Sequence, residues 1–302
     1  MESNPVPRDA VLVVNAHSRK GEQRFEEARA KLEQAGIRLT AAHAVSDPAD
    51  LVPTVADAVS RGAAMIIVGG GDGSLASTIG EVAGHDCVFA LLPLGTANSF
   101  ARTLDIPLDL DGAIETIAHG TRRRIDLGRI NGHSFANAAS LGLSPMIGES
   151  VPQGLKRALG RVGYFVWAVW CFVSFRPFRL RVSDGTGERW IWATEVRMFN
   201  GRFHSGVEFL GSEPIDDGVV VIQAVTGRSL LRLVWDWFAR FYKLPARDAA
   251  TQEFRGRRFV IETKPRLKVS VDGEVLTRTP ATVESAHKAV EVVVPASRPL
   301  PG

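Results

Sequence analysis

The stretch Met65–Thr78, MIIVGGGDGSLAST, constrains the fold of this chain more than any other part of the sequence. A run of β-branched and apolar residues breaks into four glycines within five positions, and a helix-like segment follows directly. Glycine lets a backbone approach an anion closely and tolerates positive φ. A helix that begins at such a loop adds its unpaired N–H groups and the positive end of its dipole. The pattern therefore predicts a strand, a phosphate-binding loop and a helix in succession.

The loop matches neither of the two common glycine-rich nucleotide motifs. No Lys-Ser or Lys-Thr pair follows it, as a P-loop requires, and Ser74 stands where the dinucleotide-binding fingerprint has its third glycine. A loop without the P-loop lysine must balance phosphate charge with amides, hydroxyls and a metal ion, which gives Asp72 a function. The alternative is a glycine-rich turn that binds nothing.

Around this loop, strand-like and helix-like segments alternate. Asp47 is a suitable N-cap for the second helix, and Gly36 and Gly62 are placed to end the first and second helices. This alternation favours a parallel sheet covered on both faces, whose ligands bind beyond the carboxyl ends of the strands. The predicted strands are 10–16, 37–45, 63–69 and 86–93, and the helices between them are 21–36 and 46–62.

Two further loops follow strands at the same edge of the predicted sheet. In PLGTANSFAR (Pro93–Arg102), Gly95 and Thr96 provide a tight turn and a hydroxyl, and Asn98 is a good cap for the next helix. The third loop, NAHSRKG (Asn15–Gly21), ends the first strand with Asn, His, Ser and two cations. Because the carboxyl ends of parallel strands share one edge, the three loops predict a single anion-binding site.

After about Arg124 the pattern changes to short alternating runs between Gly, Asp and Pro turns, which indicates antiparallel β structure. We therefore predict an α/β domain at 1–123, a mainly β domain at 124–285, and a C-terminal tail at 286–302 that could return to the first domain. The runs are 178–184, 190–199, 218–225, 257–263 and 267–275, and the helix-like segments between them are 154–173 and 229–244.

Composition and charge narrow the class of protein. With 302 residues, 45% of them hydrophobic and 23% charged, the chain is typical of a soluble globular protein with two domains. The longest apolar run, Val162–Phe175, would reach about 21 Å as a helix, short of the roughly 30 Å of a bilayer core. The N-terminus carries no secretory pattern, so we expect a cytoplasmic protein. A net charge of +3 allows an anionic ligand or membrane surface, whereas scattered basic residues argue against nucleic-acid binding.

These motifs resemble the catalytic family of diacylglycerol kinases, which includes bacterial lipid kinases and the sphingosine and ceramide kinases. GGDGS at 70–74 matches the family's Gly-Gly-Asp-Gly-Thr motif, and PLGTANSFAR matches its Pro-Leu-Gly-Thr-x-Asn-Asp-Phe-Ala-Arg motif. Further matches, in family order, are IDLGRINGHSFANAASLGLS, NGRFHSG, the DDG of Asp216–Gly218 and the VDGE of Val271–Glu274. The resemblance implies an α/β nucleotide-binding domain of the type found in NAD kinase and diacylglycerol kinase, with a parallel sheet. A C-terminal antiparallel β-sandwich domain would bind the lipid substrate, and the active site would lie in the cleft between the two domains.

The resemblance also implies roles for individual residues. Glu274 would be the catalytic base at the acceptor hydroxyl, and Asp272 and Asp72 would be further catalytic carboxylates. Mg²⁺ is expected with ATP, and Asp217 would hold a structural Mg²⁺ with nearby backbone carbonyls, for which an ordinary turn is the alternative. The residues that would bind ATP are Asn15, Ser18, Ser46, Gly70, Gly71, Asp72, Gly73, Ser74, Gly95, Thr96 and Asn98, of which Ser46 is the loosest match.

Without the family, the residues around VDGE have two interpretations. Alternation in LKVSVDGEV places Asp272 on the strand face opposite Val269 and Val271, joined by Glu274 if the strand continues. Two carboxylates at that spacing could divide proton acceptance and Mg²⁺ binding. The other interpretation is a hairpin turn at Asp272-Gly273 with an exposed Glu274.

Three positions depart from the family pattern. Ala76 and Ser77 replace an Asn-Glu pair after the glycine loop, Ser99 replaces an aspartate in the second loop, and Ala16 replaces a proline in the first. The preferred function is an ATP- and Mg²⁺-dependent lipid kinase that acts on diacylglycerol by default, or on a ceramide or sphingoid base. A NAD kinase-like enzyme and a catalytically silent lipid- or nucleotide-binding regulator are the alternatives.

Two aromatic-rich segments with basic flanks, 155–181 and 229–244, suit contact with an anionic bilayer surface. Helices that pack on a β-sandwich have a similar composition, so both interpretations stand. We expect a lipid substrate presented at the membrane, peripheral contact with its inner face, and no nucleic acid as partner. The oligomeric state, a homodimer included, is open.

Overall fold

The computed structural model of the chain describes residues 5–17, 19–150, 167, 170–185, 188–204, 207–210, 215–242 and 251–296. The first half contains β1 (Asp9–Asn15), α1 (Arg19–Gln34), β2 (Arg38–Val45), a 3₁₀ turn (Pro48–Asp50), α2 (Leu51–Ser60), β3 (Met65–Gly70), α3 (Asp72–Val82), β4 (Val88–Pro93), α4 (Ser99–Thr103) and α5 (Leu110–His119). The second half contains β5 (Thr121–Ile130), β6 (His133–Phe135), β7 (Ala138–Gly142), α6 (Leu143–Ser150), β8 (Phe178–Ser183), β9 (Glu188–Phe199), β10 (Phe203–His204), β11 (Val207–Glu208), β12 (Val220–Thr226), α7 (Leu230–Phe241), β13 (Thr251–Gly256), β14 (Arg258–Lys264), β15 (Lys268–Val271), β16 (Glu274–Arg278) and β17 (Ala281–Val294).

The strands β1 to β4 form a parallel sheet in the order β2-β1-β3-β4. Every residue of β3 and β4 is buried, as expected for continuous apolar strands covered on both faces. The covering helices pack in pairs, α1 with α5 and α2 with α3. The predicted α/β fold with a parallel sheet is confirmed.

Local signals explain where these helices begin and end. Asp47 caps the 3₁₀ turn that leads into α2, where it accepts a hydrogen bond from Ala49 N at 3.0 Å, and Asp50 at the start of α2 itself makes no capping bond. Gly36 and Gly62 follow α1 and α2 with φ of +81° and +78°. α5 is not among the helices predicted from the sequence, although Asp109 accepts a hydrogen bond from Gly112 N at 2.8 Å in the manner of an ordinary N-cap.

The last strand, β17, joins the two halves of the molecule. It pairs antiparallel with β5 and β14, and near its end it pairs in parallel with β4, where Val292 lies opposite Phe89. A bulge between Ala286 and Val290 separates the two parts of the strand. The predicted boundary after residue 285 falls inside this continuous strand, which hydrogen-bonds to strands of both halves.

The second half forms the antiparallel β-sandwich that the sequence and the resemblance predict. Its main strands follow the order β15-β7-β9-β8-β14, and β12 with β13 branches from β9. Their inward side chains build a second hydrophobic core, which includes Phe135, Phe178 and Met198. This core is separate from the one around the parallel sheet.

The stretch LKVSVDGEV is a hairpin, which is the second of its two interpretations, and the strand does not continue through Glu274. β15 ends at Val271, and Asp272 and Gly273 turn the chain with φ of +45° and +101°. Two positive φ values in a two-residue loop are typical of a tight hairpin turn, for which Asp-Gly is a favoured pair. Glu274 pairs with Val271 across the hairpin and therefore shares a face with it.

The two helix-like segments of this half differ in how much of them the structure covers. The segment 229–244 contains α7. Most of the segment 154–173 lies outside the described residues, but residue 167 and residues 170–174 are described and are helical. Within the described part of the chain, no helix combines the length and the apolar character needed to cross a bilayer.

Buried charges hold α7 to the sandwich. Arg197 of β9 donates from Nη1 to Asp236 of α7 at 2.6 Å and from Nε to Glu195 at 2.5 Å, and none of the three residues is more than 1% exposed. The guanidinium also lies 4.7 Å from the ring centroid of Phe209 and 5.0 Å from that of Trp237. Removing one member of such a group leaves an uncompensated buried charge.

We expect Arg197→Met to lower the free energy of unfolding by about 3–5 kcal/mol, because Glu195 and Asp236 would stay buried without their cation. The matched control is Arg258→Met. Arg258 pairs with Glu284 at 3.9 Å on the exposed surface, and its loss should cost about 1 kcal/mol or less. Urea unfolding of both variants measures the difference, and equal losses would contradict the role given to the buried charges.

Candidate active site

The two glycine loops of the first half lie against each other. β3 and β4 are parallel neighbours, so their carboxyl ends bring Gly71 and Gly95 together. A Cβ at Gly95 would come within 2.5 Å of Gly71 Cα and 2.8 Å of Asn98 Oδ1. Because no side chain fits at this contact, glycine is required here for steric reasons alone.

The first of these loops leads directly into α3. The first helical hydrogen bond runs from Leu75 N to Gly71 O at 3.1 Å, so the N–H groups of Asp72, Gly73 and Ser74 have no acceptor within the helix. Gly71, at the cap position, has no side chain that could occupy them. Free N–H groups at the positive end of a helix can bind phosphate oxygens.

The loop after β1 reaches the same place. Asn15 Nδ2 donates to Ser74 Oγ at 2.9 Å, and His17 Nδ1 lies 2.9 Å from Ser46 O at the end of β2. A Cβ at Gly70 would come within 2.5 Å of Ser74 Cβ, so glycine at 70 allows Ser74 its position. The predicted residue Ser18 lies outside the described residues.

Asp72 connects the two glycine loops. Its Oδ1 accepts a hydrogen bond from Phe100 N, in the first turn of α4, at 3.1 Å. Thr96 lies exposed in the loop between β4 and α4, beside Gly95. The loop residues predicted from sequence therefore come together at one edge of the sheet, as far as the structure describes them.

Asn98 shapes the second loop, and the expectation that its side chain caps α4 is wrong. The residue is buried with φ of +47°, and its side chain makes no capping bond. Instead Oδ1 accepts from Gly95 N at 3.0 Å, while Nδ2 donates to Gly95 O at 3.0 Å and to Pro93 O at 3.3 Å. These bonds turn the amide back into the loop and hold Gly95 in its contact with Gly71.

Asp272, in the turn between β15 and β16, approaches this edge from the second half of the chain. Its carboxylate accepts hydrogen bonds from the backbone N–H groups of Ala136, Asn137 and Ala138 at 2.7, 3.1 and 2.9 Å. Burial raises the pKa of Asp272 from 3.8 to about 6; the three donors oppose this rise, and the charge of Asp72 adds to it. Burial is the largest of these causes, and the charge of Asp72 is the smallest.

A cavity of about 420 Å³ lies between the two halves. α3 provides one wall, which includes Gly73 of the glycine loop and Ser77. The β5–β6 and β15–β16 hairpins provide the other wall, which includes Ser134, Asp272 and Glu274. The structure thus places the predicted base Glu274 in the same cavity as the end of the predicted phosphate loop.

Three charged residues of this cavity are absent from the predicted site: Glu81, Arg129 and His133. In the described part of the chain these three, and Glu274, make no ion pair or side-chain hydrogen bond, so they are available to a ligand. The spacing in the sequence could have identified Glu81, because Glu81 follows Ser77 by four residues on α3 and therefore lies on the same side of that helix. It places a carboxylate one turn beyond the position where Ser77 replaces a glutamate. Arg129 and His133 lie in IDLGRINGHSF, which carries the resemblance but no assigned role.

Asp217 lies apart from this cavity. Its Oδ1 accepts from Val219 N at 3.0 Å, which is the hydrogen bond of an ordinary turn, and the residue is exposed. Among the residues that the structure describes, no group of three His, Cys, Asp or Glu side chains is arranged to hold a metal ion. The structural Mg²⁺ at Asp217 stays a prediction from the resemblance.

Comparison with known proteins identifies the family. Residues 9–130 match the diacylglycerol kinase catalytic domain, and residues 137–294 match the YegS C-terminal NAD kinase beta sandwich-like domain. This chain belongs to the diacylglycerol kinase family of lipid kinases. The resemblance and the fold class predicted from sequence are thereby confirmed.

Individual relatives of this lipid kinase cover nearly its whole length. A protein of Salmonella arizonae named "Probable lipid kinase YegS" is 30% identical over 307 residues, which cover 97% of this chain and 98% of that protein. A protein of Bacillus subtilis named "Diacylglycerol kinase" is 26% identical over 272 residues, 88% of each chain. A crystal structure of a diacylglycerol kinase from Bacillus anthracis has a TM-score of 0.73 at 20% identity, over 95% of this chain and 97% of that one, which shows a shared fold.

We expect Gly95→Ala to damage the phosphate loop of this lipid kinase. The new Cβ would meet the Gly71 backbone, so the two loops must separate, at a cost of about 1–3 kcal/mol in stability. Isothermal titration calorimetry should show an ATP affinity about tenfold lower or worse. Gly73→Ala is the control for stability, because a Cβ there meets nothing within 4 Å. A Gly95→Ala protein that melts and binds ATP like the native chain would contradict the steric argument.

We expect the Asp272 carboxyl to titrate near pH 6, two units above an ordinary aspartate, in ¹³C NMR. Because the folded chain holds this proton more tightly than the unfolded chain, stability should fall as pH rises from about 4 to about 6. Asp72→Asn should lower the Asp272 midpoint, since the charge of Asp72 contributes to the rise. Asp217→Asn, outside the cavity, should leave that midpoint unchanged. A midpoint near 4 in the native protein would contradict the burial of this carboxyl, and an unchanged midpoint in Asp72→Asn would contradict the contribution of Asp72.

Proposed function

We propose that this member of the family is an ATP- and Mg²⁺-dependent lipid kinase that transfers the γ-phosphate of ATP to a lipid hydroxyl. The observation that carries the proposal is the shared cavity, in which Glu274 faces the wall that begins at the glycine loop. Phosphoryl transfer is catalysed mainly by positioning the two substrates and by balancing charge. A nucleotide loop and a free carboxylate on opposite walls suit that task.

The glycine loops fit the phosphates of ATP, the donor that membership of a kinase family implies. A Cβ at Gly70 or Gly95 would clash with a neighbouring residue, and the backbone of Gly71 lies directly against Gly95. Polar backbone atoms therefore line this edge of the sheet. The free N–H groups at the start of α3 also favour the binding of phosphate. Asn15 and Ser74 add a paired amide and hydroxyl beside them.

The acidic residues fit a divalent cation that accompanies the nucleotide. The charge of Asp72 contributes to the raised pKa of Asp272, and a bound cation would reduce this unfavourable interaction. These two residues would hold Mg²⁺, which supplies charge neutralisation for the phosphates when bound. Asp72 keeps its place through the bond from Phe100 N.

Glu274 suits the role of general base better than Asp272 does. Both oxygens of Asp272 already accept backbone hydrogen bonds, which fix the hairpin turn. Glu274 is exposed to the cavity, and no described residue bonds to its side chain. It can therefore accept the proton of an acceptor hydroxyl, while Asp272 positions the hairpin that carries it.

Diacylglycerol is the default acceptor, because relatives of this chain are named as diacylglycerol kinases and lipid kinases. A ceramide or a sphingoid base presents a comparable hydroxyl on a two-chain or one-chain lipid. NAD is a soluble acceptor that tests the relation of the glycine loop to NAD kinase. A cytoplasmic location, as predicted from the sequence, would give the protein access to ATP for any of these reactions.

The deciding experiment is transfer of labelled phosphate from ATP, with Mg²⁺, to diacylglycerol, ceramide, sphingosine or NAD in mixed micelles. We expect a labelled lipid, and we expect Glu274→Gln to lower kcat about 100-fold or more while ATP binding is retained. Glu26→Gln, an exposed site on α1, is the matched control and should keep the native rate.

The outcomes separate the alternatives. Label on NAD alone would favour a NAD kinase-like enzyme. ATP binding without transfer to any acceptor would favour a silent regulator, and full activity in Glu274→Gln would remove Glu274 from the role of base.

A further inference from the structure

The outer face of α7 is apolar and exposed. Leu231, Val234, Trp235 and Phe238, followed by Tyr242, recur at helical spacing, and each is between 44% and 73% exposed. The rings form a continuous row, with centroids 6.0 Å apart for Trp235 and Phe238 and 4.6 Å apart for Phe238 and Tyr242. A helix that only packed on the sandwich would have polar residues on this side.

The helical residues 170–174 pack beside α7 and also expose apolar side chains. Trp170 and Val173 are 57% and 79% exposed, and Cys171 shares a buried cluster with Leu233 of α7. Of the ten large hydrophobic residues exposed in the described part of the chain, six lie on these two helices, and a seventh, Tyr242, directly follows α7. We call this surface the apolar face. Such a concentration on a folded protein marks a place of contact.

The side of α7 opposite the apolar face is anchored to the β-sandwich. Asp236 and Leu233, on the opposite side of α7, are buried, and Asp236 pairs with Arg197 of β9. The T-shaped contact of Trp237 with Phe209, at 5.4 Å between ring centroids, fixes the same side. The exposed side chains are therefore a fixed feature of the fold.

Basic and aromatic side chains border the apolar face where α7 begins. Arg228 lies 4.0 Å above the ring of Trp192, and Arg179 approaches the same ring at 5.6 Å. Lys264 lies 4.9 Å from the ring of Trp190 on the next part of this outer sheet surface. Exposed Arg232 lies on α7 itself, where the only acidic residue, Asp236, is buried. Tryptophan and arginine beside exposed apolar side chains match the interface of an anionic bilayer.

We propose that the apolar face and its basic border dock this protein on an anionic lipid bilayer. The apolar side chains would enter the headgroup region, and Arg228, Arg179 and Lys264 would contact the lipid phosphates. A second copy of the chain fits less well, because a two-fold contact of this face would set arginine against arginine. Docking is independent of phosphoryl transfer, although it would give a lipid kinase access to its substrate.

The test is co-sedimentation of the full chain with lipid vesicles, without ATP. We expect binding to vesicles that contain phosphatidylserine, weaker binding to phosphatidylcholine alone, and weakening by salt. Trp235→Ser with Phe238→Ser should reduce vesicle binding about tenfold or more. Arg179→Gln with Arg228→Gln should remove the preference for phosphatidylserine.

Two controls keep the test specific. Leu108→Ser changes an exposed apolar residue outside the face and should bind like the native protein. Trp235→Phe with Phe238→Leu keeps the apolar character and should retain vesicle binding, whereas unchanged circular dichroism of all variants verifies folding. Failure of the native chain to bind phosphatidylserine vesicles would overturn the proposal. So would native vesicle binding by the Ser variant, or loss of a dimer in that variant by sedimentation equilibrium, since the face would then join two copies. The kinase assay in detergent micelles does not depend on these results.

Discussion

The pairing of β17 with strands from both halves is the constraint on which the rest of the structure depends. One edge of its last residues adds to the parallel sheet at β4, while the strand also pairs with β5 along most of its length. β5 and β6 form a hairpin that faces α3 across the cavity. Each half of the chain has its own hydrophobic core. The backbone hydrogen bonds of β17 fix the position of one half relative to the other, and so the geometry of the site between them.

Within that frame, the site combines close steric contact with opposed charge. Gly71 and Gly95 meet without room for a side chain, and Asp72 bridges their loops through Phe100 N. Across the cavity, three backbone donors hold the carboxylate of Asp272, and burial of this carboxylate raises the pKa of Asp272 to about 6, with a smaller contribution from Asp72. This arrangement supports the proposed transfer of phosphate from ATP with Mg²⁺.

Much of the fold was predictable because its signals are local. The apolar runs of β1, β3 and β4, the Asp47 cap and the helix-ending Gly36 act within a few residues. α5 was missed although its Asp109 cap is of the same kind. The hairpin at Asp272-Gly273 was left open, because alternation continues in sequence after the chain has turned. Asn98 was misassigned as a helix cap, since its preference for Gly95 depends on the loop having closed.

The sequence by itself determined that a glycine loop leads from a buried strand into a helix, and its motifs identified the family. Those properties depend on neighbours in the chain, which steric and hydrogen-bonding rules govern directly. Only the tertiary structure decided that Glu81, Arg129 and His133 share a cavity with Glu274, and that apolar side chains on one face of α7 are exposed. These features depend on the surfaces that the pairing of β17 and the buried Arg197 bring together. The residues of those surfaces are far apart in the sequence, so no local pattern encodes their contact.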